Sequence, residues 1–347
     1  MERKSLRDIS WQVSEPEYRQ DPALSYSTLA RYEREGFNNL STLFDRIESP
    51  SLTFGSLVDT LITGTDEEFN DQFMVADSIS ISDSLISITL RLFEQFKDEY
   101  NDIQDIPSNE LLDAIKDIQW NNHWLPKTRV TKIKSDCAGY YKLLYIADGR
   151  TIISSELNNV AESVVNSLKS SDSTKFYFED DSPFDDNVQR FYQLKFKSEL
   201  QGIDFRCMAD ELIVVHDQKL VVPIDLKTSS KPEWDFYKSF IDWRYDIQAR
   251  LYWQIIRDNM DRDPYFENFT LADYKFIVVN RNTLTPLVWN FSHTVSEVPL
   301  VLDNGFTLRH PFQIAKELNV YLQNKPTVPN GIDTKGINKI EDWITIQ

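Results

Sequence analysis

Residues 191–228 constrain the fold more than any other part of the chain. Three runs rich in β-branched and aromatic side chains, Phe191–Leu200, Ile203–Val215 and Leu220–Thr228, are separated only by Gln201-Gly202 and by His216-Asp217-Gln218-Lys219. Connections this short join antiparallel neighbours, because a parallel partner needs a crossover of roughly a dozen residues or more. A three-stranded meander is therefore expected, and the remaining chain has to cover it. Upstream, Leu29, Tyr32, Phe37, Leu40 and Leu43 recur at near-helical spacing between Ser27 and Ile47. Gly55–Thr63 carries Leu57, Val58, Leu61 and Ile62 on one helical face, with Gly64 as its stop. Residues 85–118 also read as helical, as does a stretch from Ser154-Ser155-Glu156 to about Ser170. Downstream come a helical region from Glu233 to about Met260, a strand pair at Tyr274–Asn280 and Thr285–Phe291, and a last helix at Pro311–Asn324. Helices, a meander, then helices around another strand pair spell a mixed α/β (α+β) fold.

The 347 residues are read as a single elaborated domain. Within it, 25–64 supplies N-terminal helices, 65–185 a mainly helical insertion, 190–295 the core, and 296–347 a C-terminal helix and tail. Hydrophobic residues at 41% and aromatics at 13% are ample for a core and exclude global disorder. No apolar run approaches the ~18 residues of a membrane helix. MERKSLRDISWQV at the N-terminus has no apolar stretch of the secretory type, so an intracellular, cytoplasmic protein is expected. Two cysteines, Cys137 and Cys207, cannot build a disulfide framework, a four-cysteine zinc site or a four-cysteine iron–sulfur cluster.

The net charge of −18 argues on average against a nucleic-acid partner. Its distribution is uneven. Glu179 to Asp186 holds five carboxylates in eight residues, whereas Lys127 to Lys134 holds four cations and no acid. DNA binding is disfavoured by the average and left open by the distribution.

Chemistry concentrates in CMADELIVVHDQKLVVPIDLKTSS, residues 207–230. A symmetric turn at 216–219 brings Asp210 and Asp225 directly opposite each other. Like charges across a ladder are destabilising, and a divalent cation between them reverses that sign. Lys227 shares a face with Asp225, while Val222, Ile224 and Leu226 point the other way into the core. Carboxylates suit Mg²⁺ or Mn²⁺, which keep waters able to attack a phosphate, and a neighbouring lysine can position or deprotonate that water. The pattern fits metal-assisted phosphodiester hydrolysis; it equally fits a plain Asp225–Lys227 ion pair beside a solvated Asp210. Further on, Gln248 lies within an apolar face of Tyr245, Leu251, Tyr252, Ile255 and Ile256. A buried amide costs on the order of 1–3 kcal/mol unless bonded, so it has a specified partner: backbone in a plain core, or a catalytic group.

Asp210, Asp225-Leu226-Lys227-Thr228 and Tyr245-Asp246-Ile247-Gln248-Ala249-Arg250-Leu251-Tyr252, in that order, resemble the PD-(D/E)XK nucleases, specifically the RecB-like branch with its QxxxY motif. Within that branch the sequence is most similar to phage recombination exonucleases of the exonuclease VIII kind. The resemblance covers about 190–280, with a weaker echo in Ser25-Tyr26-Ser27-Thr28-Leu29 and Phe54-Gly55-Ser56-Leu57-Val58-Asp59. It implies a restriction-endonuclease-like core, a central mixed sheet flanked by helices with a helical N-terminal elaboration. Asp210 and Asp225 would be metal ligands with the Leu226 carbonyl, Lys227 the catalytic lysine, and Gln248 and Tyr252 residues lining the site. Asp59 stands where the family often has a metal-binding histidine, and could ligate Mg²⁺ or simply be solvated.

Glu199 is a further acid that could reach the metal or flank a turn. For DNA contact, Trp120-Asn121-Asn122-His123-Trp124 with Lys127, Arg129, Lys132 and Lys134 combine bases' stacking partners with phosphate-binding cations. A tryptophan pair in the core followed by a solvated strand reads equally well. The resemblance implies a Mg²⁺- or Mn²⁺-dependent DNA exonuclease acting on duplex ends in the 5′-to-3′ direction, with a single-strand annealing protein as partner and a homo-oligomeric ring as assembly, in a host cytoplasm if viral. A RecB-like structure-specific endonuclease and an inactive DNA-binding or virion-associated nuclease fold are the alternatives.

Overall fold

The computed structural model describes residues 3–36, 40, 42–45, 49–76, 81–118, 120–179, 187–295 and 298–324. In chain order it contains α1 (Glu15–Gln20), α2 (Tyr26–Glu35), α3 (Pro50–Thr63), α4 (Asp66–Gln72), β1 (Phe73–Ala76), α5 (Asp83–Phe96), α6 (Ser108–Ala114), α7 (Pro126–Ala147), β2 (Thr151–Ser154) and α8 (Ser155–Ser170). There follow α9 (Lys175–Phe178), β3 (Val188–Leu200), β4 (Ile203–Val215), β5 (Leu220–Ser229), α10 (Phe236–Asp242) and α11 (Tyr245–Asp261). The last are β6 (Thr270–Leu271), β7 (Tyr274–Asn280), β8 (Leu287–Phe291), β9 (Leu300–Val301), β10 (Thr307–Leu308) and α12 (Pro311–Asn324). The chain divides into two compact units, Met1–Gly55 with Val164–Gln347, and Ser56–Ser163, so the boundaries fall inside α3 and α8.

The larger unit is a mixed α/β structure built on one sheet in the order β3-β4-β5-β7-β8, with β6 beside β5. β3, β4 and β5 form the expected antiparallel meander. The β5–β7 pair is parallel, and the connection between them carries α10 and α11. Central strands of such a sheet are covered on both faces and read as nearly continuous apolar runs, as LVVPI and FIVV do here. One face packs Phe196, Phe205, Leu212, Val214 and Val278 against Ile247, Leu251 and Ile255 of α11, with α2 and α12 completing the layer. The opposite face is also buried, at Ile213, Val222, Ile224, Ile277 and Val279.

The smaller unit has its own core. Leu85, Ile88, Leu92 and Phe96 recur at helical spacing on α5 and meet Val130, Ile133, Cys137 and Tyr141 of α7. β1 and β2 pair in parallel beside it.

Several helical boundaries differ from the sequence reading. α2 ends at Glu35 because Gly36 takes φ 64, and Phe37 and Ile47 lie outside the described residues. The Glu233–Met260 region breaks between α10 and α11, where Arg244 is left-handed at φ 56. Lys127–Lys134 is part of α7, a helix and not a strand. Residues 180–186 of the acidic block lie outside the described residues. Among the described residues, no helix is long and apolar enough to cross a membrane.

Candidate active site

The register of the β4–β5 hairpin is the symmetric one, from Val215↔Leu220 to Glu211↔Ile224. The ladder then stops, one rung short of Asp210 and Asp225. The two acids are therefore not a ladder pair, as the symmetric turn implied. Asp210 accepts a hydrogen bond from the Leu226 backbone N–H at its Oδ2, 3.2 Å, so a carboxylate stands where a strand carbonyl would.

The cause lies one strand away. β3 and β4 pair at Tyr192↔Glu211 and at Leu194↔Ala209, but the rung of Gln193 and Asp210 between them is missing, and Gln193 is left-handed at φ 54. Ala209 and Leu212 consequently belong to the same core cluster, although three residues apart on a strand. Both strands change face at this rung, and Asp210 is released from ladder pairing. A non-glycine residue at positive φ costs of order 1 kcal/mol and persists only where its surroundings impose it.

Asp225 sits on the face covered by α11 and is 1% exposed. Its Oδ2 lies 2.5 Å from Lys227 Nζ, and its Oδ1 accepts a hydrogen bond from Gln248 Nε2. The glutamine thus bonds to the central carboxylate itself. Gln248 Oε1 is buried with no hydrogen-bond partner among the described residues. Burial works against the Lys227 ammonium, yet Asp225, then Tyr245, Asp210 and Tyr26, hold its pKa above the ordinary lysine value. Its Nζ also lies 4.9 Å from the centre of the Tyr245 ring.

Tyrosines surround these charges. Tyr252, one turn after Gln248, meets Tyr26 and Tyr274 edge-on at 6.5 and 6.4 Å. Burial, followed by the charges of Asp225 and Asp210, pushes the Tyr274 hydroxyl well above the usual tyrosine range. Tyr274 was passed over in the sequence because a tyrosine in an apolar strand carries no local mark of a site. Glu211 carries no local mark either: it pairs with Ile224 on the opposite, buried face of the sheet and is itself 3% exposed.

The start of α11 is fixed by charge. Arg244 grips Asp246 through two hydrogen bonds at 2.9 and 3.1 Å, and reaches Glu33 of α2 at 2.8 Å. Glu33 also pairs with Arg309. Gln248 is thereby held at a set height over Asp225.

Other nominated residues lie elsewhere. Glu199 is exposed opposite Asp204 at the β3–β4 turn, six rungs from the Asp210 position and so roughly 20 Å along the strand, too far to share an ion with Asp225. Asp59 is half-buried on α3, one turn after Gly55, and falls in the smaller unit. Lys127, Arg129, Lys132 and Lys134 are all on α7 of that unit. Lys132 pairs with Asp136 at 2.9 Å, and Lys134 Nζ donates to the carbonyls of Gln104 and Ile106 at 2.7 and 2.6 Å. Those two cations thus already have partners within the smaller unit. Arg129 is half-buried, and its Nε and Nη2 have no acceptor among the described residues.

Among the described residues, no three carboxylate, histidine or cysteine side chains gather around one point. Two acids, a buried amide oxygen without a partner and nearby backbone suit an ion that keeps several waters, as Mg²⁺ does.

No protein-family model matches this chain, and no curated protein matches it. Among solved structures, it is similar to a candidate exonuclease from Eubacterium rectale at 13% identity and a TM-score of 0.44, over 95% of this chain and 94% of that one. What the protein does has to be read from the site itself.

Proposed function

We propose that this protein is a metal-dependent nuclease that hydrolyses DNA phosphodiester bonds at Asp210, Asp225 and Lys227. The observation that carries the reading is the state of Asp225: a carboxylate at 1% exposure, gripped by Lys227 and Gln248, beside a second aspartate withdrawn from its ladder. Burying charge is expensive, and a structural ion pair at this place would be served as well by apolar residues. Asp210, Asp225 and the Leu226 carbonyl are the groups that would hold Mg²⁺ or Mn²⁺, with Gln248 Nε2 donating to Asp225. Such an ion, when bound, supplies a polarised water and offsets phosphoryl charge.

The chain's own residues do the rest. Gln248 fixes the rotamer of Asp225, and Lys227 brings a retained positive charge to the phosphate oxygens, where negative charge develops as the P–O bond breaks. Tyr252 and Tyr274 exclude water from one side of the carboxylates. The resemblance extends the proposal to duplex ends as substrate in phage-type recombination, with an annealing protein as partner and a ring of copies retaining the DNA.

The test is digestion of linear and closed-circular duplex DNA in Mg²⁺ and in Mn²⁺ by wild type, Asp225→Ala and Lys227→Ala. Metal-dependent loss of linear DNA, intact circles and variants slowed by at least about 100-fold are expected, given typical losses for groups acting on transition-state charge. End labels report polarity. Cleaved circles would mean an endonuclease, and a wild type inert in both metals would sink the proposal.

A further inference from the structure

Trp243 closes α10 with 50% of its surface exposed, and Arg34 of α2 lies over its ring with Cζ 5.1 Å from the centre. A single exposed tryptophan is unremarkable, but this one is joined to the carboxylate site by consecutive contacts. Its carbonyl accepts a hydrogen bond from the Tyr26 hydroxyl at 2.8 Å. The Tyr26 ring is 6.1 Å from that of Tyr245, whose face lies 4.9 Å from Lys227 Nζ. Two tyrosines and one main-chain hydrogen bond thus connect the partly buried Lys227 to the segment that carries the exposed indole.

The charge beside the indole is also directed outward. Arg34 is exposed, and the two acids flanking it are engaged with other residues: Glu33 with Arg244 and Arg309, Glu35 with Arg31. Neither acid is therefore available to neutralise Arg34. A half-exposed indole with a guanidinium over its ring matches one nucleotide of an unpaired strand, the base stacked on the exposed part of the indole and the phosphate on the cation.

We propose that Trp243 and Arg34 form a stacking platform for an unpaired nucleotide of the strand leading to Lys227 and the two aspartates. This deepens the nuclease reading and rests on it: the substrate class becomes a DNA end whose terminal nucleotides are single-stranded at the site. The platform sets which strand enters, and is a binding element only.

The experiment measures fluorescence anisotropy of a labelled single-stranded octanucleotide with the full-length protein in EDTA, where no hydrolysis occurs. Wild type is compared with Trp243→Ala, Trp243→Phe, Arg34→Ala and Trp234→Ala, using both a normal octanucleotide and one with abasic sites throughout. Trp234 is exposed on the same segment but has no cation or ring partner among the described residues, which makes it the control. Loss of one stacked base predicts binding weakened roughly 5- to 100-fold in Trp243→Ala, for the normal oligonucleotide and not the abasic one. Trp243→Phe should restore most of it, and Arg34→Ala should lower the slope of log affinity against log salt by about 0.7. Equal binding by Trp243→Ala and wild type, an equal loss on the abasic strand, or no binding by wild type would each overturn the platform. Asp225-dependent cleavage with any of those results would leave the nuclease reading standing; Trp243-dependent binding without cleavage would remove that reading and keep the platform.

Discussion

A carboxylate at 1% exposure needs its lone pairs satisfied, and Asp225 has one partner two residues along its own strand and another on α11. The lysine follows from strand alternation, since positions 225 and 227 share a face by period two. The glutamine comes from a helix about twenty residues later, and the sequence marks it only as a polar residue within an apolar stripe. Replacing Gln248 by leucine keeps the volume and removes the donor to Oδ1. It is expected to destabilise the fold by about 1–3 kcal/mol, as measured by urea unfolding, because a buried acceptor is left unmet. Cleavage by the same variant should fall more steeply than stability, since Asp225 would lose its set rotamer. The meeting of Asp225, Lys227 and Gln248 was legible from strand alternation and a costly buried amide, whereas the ladder pairing expected of Asp210 with Asp225 does not form. Tyr274 was not legible, since its polar atom shows only once β7 lies beside β5.

The strands of the meander were legible to within a few residues, because β-branched runs between tight turns admit little else. Their change of face was not. Alternation is assumed wherever a strand is read from sequence, and Gln193 and Asp210 break it together without any glycine to announce it. Gln193→Gly should therefore stabilise the protein by about 0.5–1 kcal/mol, seen as a higher melting temperature with the site intact. A loss of stability would mean that the left-handed residue is not strained. The N-terminal segment is tied to the same strands, with Asp21 bonded to Lys197 at 2.8 Å and Arg206 bonded to the Ala23 carbonyl at 3.0 Å. Burial alone would raise the Asp21 pKa, but the Lys197 ammonium and the Ala23 N–H hold it below the usual value. A lowered folded pKa means stability that is present above the unfolded value near 3.8 and lost as pH falls through the folded one. Asp21→Asn should accordingly lower the melting temperature at pH 7 and have a smaller effect near pH 3. An equal effect at both would show that the ion pair is not the source.

Among the described residues, one apolar core lies around α11 and its sheet and another between α5 and α7, with further buried side chains on the sheet's opposite face. Calorimetry of the intact chain should resolve two transitions, since two cores need not melt together. A single transition with equal calorimetric and van't Hoff enthalpies would mean that α3 and α8, which run through both units, couple them fully. Within residues 85–118, α5 and α6 were readable from leucine and isoleucine spacing, but the non-helical stretch 97–107 between them was not, nor were the unit's edges, because a boundary inside a helix leaves no linker composition behind. The crossover between β5 and β7 has a different kind of consequence. The acidic strand and the helix that supplies its glutamine arrive in sequence before the strand that flanks it, so a chain folded without β7 would have β5, with Asp225 and Lys227, as a bare sheet edge. Edge strands of this sort invite pairing with other chains, and charged side chains such as Asp225 and Lys227 on β5 discourage it until β7 docks.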